Sequence, residues 1–178
     1  MITKPEQITN RILKAIGRGQ SVLLVGDWGN DFTNKIRSNE NGLTKIESTN
    51  ENLPFLDNSF TRIIADYNNI NSERFYNEAR RLLLPTGMII ISANSRISFF
   101  EKILNKLNKK KEEKNLAILK IKPKVLQDQI HDNGFLIDGY YGYPNGHLIM
   151  MAQIQNKEVT TLFKANKQKT VTNNKSIS

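Results

Sequence analysis

Apolar residues recur along the chain at two spacings, and the switches between them lay out its elements. Ile8, Ile12, Ala15 and Ile16 fall at helical spacing behind a Thr3-Lys4-Pro5-Glu6 capping box, which predicts an N-terminal helix closed by Gly17 and Gly19. The apolar run "VLLV" at 22–25 predicts a buried strand that opens into a glycine turn reaching Asn30. "DFTNKIRS" then has room for about two helical turns. Residues 43–47 read as a short strand, and after the loop "STNENLPFLDNSF" residues 61–67 predict a second apolar strand. Ser72 is placed to cap a helix whose Phe75, Ala79, Leu82 and Leu83 share a face, with Pro85-Thr86-Gly87 as its closing turn. "MIIIS" predicts a strand apolar on both faces. Phe99, Phe100, Ile103, Leu104 and Leu107 return to helical spacing and fade into a Lys-rich run. Pro123 starts another helix that ends before Gly134. "FLIDGYYGY", a turn at Pro144-Asn145-Gly146 and "HLIMMAQ" then predict an antiparallel hairpin.

Strands alternating with helices predict an α/β fold: a mostly parallel sheet with helices on both faces and the hairpin as an antiparallel edge. A chain of 178 residues, 38% of them hydrophobic, suits one domain with a real core, here 1–156. Beyond Asn156 the sequence is Lys, Asn, Thr, Gln and Ser with little to bury, so 157–178 is expected to be a disordered basic tail. The absence of cysteine excludes disulfides, thiolate metal sites and a thiol nucleophile. Apolar runs far below spanning length and an N-terminus without a signal-peptide core lead us to expect a cytoplasmic protein with no membrane partner.

The net charge of +9 is unevenly placed. Residues 101–124 hold nine Lys against three Glu, and 157–178 hold five Lys against one Glu, which leaves the rest nearly neutral. A segment centred on Lys109, Lys110, Lys111 and Lys114 is therefore either a solvated face or a contact for an acidic partner, RNA, DNA or protein. Aromatic residues are nearly missing from both segments, which argues against base stacking on single strands.

Four blocks in order, "SVLLVGDWGN", "LPFLDNSFTRIIADY", "FYNEARRLLLPTGMIIIS" and "LQDQIHDNGFLIDGYYGYP", cover most of residues 21–153. Together they resemble the class I S-adenosylmethionine-dependent methyltransferases, type 11-like, as a divergent and shortened member with a Rossmann-like fold. The resemblance implies S-adenosylmethionine as cofactor, held through Gly26, Asp27, Trp28, Gly29 and Asn30. In the family an acidic residue and three alternating glycines admit the methionine part of the cofactor. Aligned here, Leu24 stands at the acidic position, and Gly26, Trp28 and Asn30 stand at the glycine positions. Trp28 either blocks the ligand or serves the structure, or else stacks on adenine. Glu47 is the candidate for the ribose hydroxyls, against an ordinary solvated glutamate. Asp66 and Tyr67 stand where the family places substrate-facing groups, with Asp66 either accepting a proton or capping the next turn.

Thirty-five positions separate Gly26 from Thr61, where the family needs two crossovers and a βαβ unit takes about 30 residues, so one βα unit is expected to be missing. His131 and His147 read as surface histidines without a metal signature, and Arg80-Arg81 as a solvated edge. Two functions follow. One is an active methyltransferase that works mainly by orientation. The other is a non-catalytic platform that keeps the sheet and binds an acidic partner. A dinucleotide-binding Rossmann domain fits less well, since one glycine of the three survives.

Overall fold

Helix α1 (Glu6–Ile16) turns Ile8, Ile12 and Ile16 inward along one stripe, each at most 1% exposed, and stops where Gly17 takes φ +80°. The computed structural model describes residues 6–47, 53–70, 72–95, 120–144 and 146–155. The Thr3 cap, the helical spacing from Phe99 to Leu107, Lys109, Lys110, Lys111, Lys114 and the tail at 157–178 lie outside the described residues.

Strand β1 (Ser21–Val25) is the apolar run, and helix α2 (Gly29–Arg37) follows its turn. Then come β2 (Gly42–Ile46), β3 (Phe60–Asp66), a 3-10 turn (Tyr67–Asn69) and α3 (Ser72–Leu82). The second half holds β4 (Leu83–Ser95), the two-residue β5 (Lys120–Ile121), α4 (Pro123–Asp132) with proline in its first turn, β6 (Phe135–Gly142) and β7 (His147–Ile154). The strand order is β2-β1-β3-β4-β7-β6, with β5 against the end of β4. Strands β1 to β4 pair in parallel, and β7 runs antiparallel to both β4 and β6. The expected α/β sheet with an antiparallel closing hairpin is thus present. Between β1 and β3 the described residues hold one helix and one strand, the shortened connection that the spacing predicted.

Alternation along β1 and β3 divides the core into two layers. Val22, Leu24, Ile64, Ile90 and Ile149 face α1 and α2, whereas Leu23, Val25, Ile63, Ala65 and Ile91 face α3 and α4. Ile89, Ile90 and Ile91 are all fully buried, so β4 is apolar on both faces, as expected of a central strand.

Two expectations are corrected. Pro85-Thr86-Gly87 does not close α3 with a separate turn. It loops out inside β4, where Leu83 pairs with Phe60 and Met88 already pairs with Arg62. Five residue steps on β4 therefore face two on β3, and the proline, which has no N–H for the ladder, sits in that bulge. Nor is Arg81 a solvated edge, although Arg80 is exposed. The Arg81 guanidinium donates to the carbonyls of Phe55 (2.7 Å) and Leu53 (3.0 Å), and grips Glu78 through Nε (3.0 Å) and an η nitrogen (2.7 Å). Glu78 in turn accepts from the Leu53 N–H at 3.1 Å. This clamp presses Leu53 and Phe55 onto the α3-side core, with Phe55 edge-on to Phe60. The loop thereby covers sheet surface beside the shortened connection.

Candidate functional site

In open parallel sheets ligands bind beyond the carboxyl ends of the strands. Here those ends bring together the turn after β1, the end of β2, the turn after β3 and the end of β4.

The turn after β1 starts at Gly26, whose φ of +97° is open to glycine and strained for other residues. Its N–H donates to the Ile46 carbonyl at 2.8 Å, which ties the turn to the end of β2. Asp27 points outward. Its carboxylate accepts from the Gly29 N–H at 3.1 Å and lies 3.5 Å from Lys45 Nζ. The Gly29 hydrogen bond, with Lys45 adding to it, holds the Asp27 carboxyl below its usual range. Gly29 takes φ +71° and faces open space, and Asn30 is exposed in the first turn of α2.

Trp28 turns into the core. It is 9% exposed and its indole N–H donates to the Val25 carbonyl at 2.8 Å. The ring stacks on Phe32 with centroids 5.0 Å apart, among the α1 and α2 side chains. Leu24 is fully buried in the same layer. Glu47 is exposed and directly follows β2, so it lies beside the turn after β1.

At the end of β3, Asp66 caps the 3-10 turn: one carboxylate oxygen accepts from the Asn68 N–H (3.0 Å) and from Asn68 Nδ2 (2.8 Å). Tyr67 packs against the α3-side core and donates from its hydroxyl to Gln129 Oε1 on α4 at 3.3 Å. Asn69 ends the turn, and its side chain lies against Gly26. A Cβ built on Gly26 meets Asn69 Nδ2 at 2.5 Å, Cγ at 3.1 Å and Cβ at 3.2 Å. No motif pointed to Asn69, because the contact arises only when β3 lies beside β1. On β4, Ser92 is buried opposite Asp66, and Asn94 pairs with His147 of β7. His131 is exposed on α4 and lies 3.9 Å from Asp132.

Two further groups escaped the sequence reading. Tyr76 is fully buried on α3, and its hydroxyl has no hydrogen-bond partner among the described residues. Burial, with the nearby Tyr67 adding to it, pushes this phenol above its usual range, so it stays neutral. Burial likewise lowers the Arg62 guanidinium on β3, but no arginine deprotonates at ordinary pH. Among the described residues no group of three or more His, Asp or Glu is placed to hold a metal ion, and no helix is long and apolar enough to cross a membrane.

No family model and no curated protein sequence matches the chain. Solved structures do match it. A SAM-dependent methyltransferase from Aquifex aeolicus superposes with a TM-score of 0.56 at 14% identity, over 85% of this chain and 94% of its own. The 1,6-didemethyltoxoflavin-N1-methyltransferase of Burkholderia thailandensis, solved with S-adenosylhomocysteine, gives 0.60 at 14% identity, over 84% and 78%. The [4+2]-cyclase SpnF gives 0.57 at 12% identity, over 84% and 80%, so neighbours of this shape do not share one reaction. The chain has the fold of the class I S-adenosylmethionine-dependent methyltransferases.

Proposed function

We propose that this is a type 11-like methyltransferase-fold protein whose S-adenosylmethionine site is degenerate, and that it serves as a non-catalytic binding platform for an acidic partner. The observation that carries the reading is the state of the turn after β1. Leu24 and Trp28, at positions where the resembled family has an acid and a glycine, are both core residues. The residues present therefore do not fit the methionine part of the cofactor, and Gly26 alone keeps the glycine that close approach needs. A platform needs the sheet as a rigid support and no reacting centre. Its contact would be the Lys109, Lys110, Lys111 and Lys114 segment, with nucleic-acid binding weakening steeply with salt as counterions are released.

The position of Glu47 directly after β2 and the open, positive-φ Gly29 favour a second reading, an active divergent methyltransferase with Asp66 and Tyr67 near the acceptor. Calorimetric titration and thermal shift with S-adenosylmethionine and S-adenosylhomocysteine decide between the two. A ligand at a hundredfold excess over its Kd stabilises the native state by about 2.7 kcal/mol, which is easily seen. The platform reading expects no shift at millimolar ligand, and a clear shift overturns it. Retention on heparin or RNA is expected to be lost when Lys109, Lys110 and Lys111 are changed to Gln, and unchanged retention removes that segment as the contact.

A further inference from the structure

The glycine turn carries a second anomaly, separate from the residues it has lost. Gly26 still has the backbone that close approach requires, with φ +97° and its N–H fixed to Ile46. Yet the space in front of its Cα is taken by protein, and the three atoms nearest to a Cβ built there are Nδ2, Cγ and Cβ of Asn69. All three belong to Asn69, and the nearest, Nδ2, is the end of its carboxamide. The turn that carries Asn69 is itself held. The Asp66 carboxylate caps it, Tyr67 is bonded across to Gln129, and the following Ile70 packs against the α3-side core. The backbone at Asn69 is therefore placed by the turn's geometry and by the parallel pairing of β1 with β3, which sets residue 26 beside the end of β3.

We propose that Asn69 is an internal plug: its side chain occupies the place against Gly26 that a ligand must enter to reach the backbone of the turn, and removing it reopens that place. The proposal rests on the degenerate-site reading above and refines it, since it assigns the closure at Gly26 to one side chain that can be cut away. The ligand class is the one such a turn suits, an adenosyl amino acid, and S-adenosylhomocysteine is the probe.

Two measurements test it. The first needs no ligand. Gly26→Ala is strained by its φ in any background, but beside Asn69 it also meets Nδ2 at 2.5 Å. Gly26→Ala is therefore expected to lower the melting temperature more in the wild type than in Asn69→Ala, and an equal loss in both backgrounds overturns the contact. The second is thermal shift and calorimetric titration with S-adenosylhomocysteine on the wild type, Asn69→Gly and Asn69→Ala, glycine removing the Cβ at 3.2 Å as well and alanine removing the carboxamide alone should glycine fail to fold. The expected result is binding at least tenfold tighter in a folded variant than in the wild type. A folded variant that gains nothing overturns the plug and leaves the degenerate-site reading standing. Firm binding by the wild type overturns that reading, and the tenfold ratio still decides the plug.

Discussion

Replacing Arg81 with Ala is expected to loosen loop 53–59 from the sheet and to cost the protein a substantial part of its stability. The arginine side chain is 31% exposed, and the Glu78 it grips is 13% exposed. The change removes two hydrogen bonds to loop carbonyls and a two-point grip on Glu78, and it leaves that partly buried carboxylate with the Leu53 N–H and the attraction of Arg74. Hydrogen bonds involving a charged group contribute roughly 1.5–3 kcal/mol each when buried, and water replaces part of what is lost here, so the expected net loss is about 3 kcal/mol. For a chain of this size that corresponds to a melting temperature lower by roughly 6–12 °C. The Asp57 contact at 2.8 Å adds little, because that carboxylate is 69% exposed. Asp57→Asn should therefore stay within about 0.5 kcal/mol of the wild type, and the pair of variants separates the clamp from surface charge. Denaturant unfolding followed by circular dichroism measures both, and hydrogen exchange locates the effect. The Leu53, Phe55 and Asn58 amides, which donate to Glu78, Leu53 and the Arg81 carbonyl, should exchange faster in Arg81→Ala. A loss below about 0.5 kcal/mol, or unchanged protection at those three amides, refutes the clamp.

The same pair sets a pH dependence. The Arg81 hydrogen bonds first, with the Leu53 N–H and charge attraction adding to them, hold the Glu78 carboxyl below its ordinary value of 4.5 against the cost of burial. Its stabilisation is thus fully present above that ordinary value and is lost as pH falls through the lower folded value; Glu78→Gln should flatten acid unfolding in that window, and an unaltered curve contradicts the pairing. Trp28 is the single tryptophan, so its emission reports the turn directly: blue-shifted and resistant to iodide quenching if the indole lies in the core, against a water-like spectrum if it lines an open cleft. Trp28→Ala should cost about 3–5 kcal/mol in denaturant unfolding, as large core truncations do, and a loss under about 1 kcal/mol sinks the core placement. Gly87→Ala should destabilise by about 1–3 kcal/mol, because a Cβ there meets the Leu84 carbonyl at 2.9 Å and Leu83 Cδ2 at 2.8 Å; a neutral result in the same assay shows that the β4 bulge is looser than described.

Much of the architecture was legible in residue order alone. Periodicity located α1, β1, β3, α3, α4 and the closing hairpin, because burial of one helix stripe or strand face writes itself directly into the local pattern. The short distance from Gly26 to Thr61 disclosed the lost βα unit, since chain length bounds what a connection can hold. The glycine at 26 likewise marked a backbone that turns through positive φ. Pattern could not say which way the Trp28 side chain turns, since an indole after a strand serves a cleft or a core equally well until α1 and Phe32 are packed beside it. Nor could it show that Arg81 leaves the solvent to hold Leu53 and Phe55, or that Asn69 comes to rest on Gly26. These contacts join residues far apart in sequence, and their partners are chosen by strand order and register. Those are properties of the assembled sheet, with no signature in any local window of the chain.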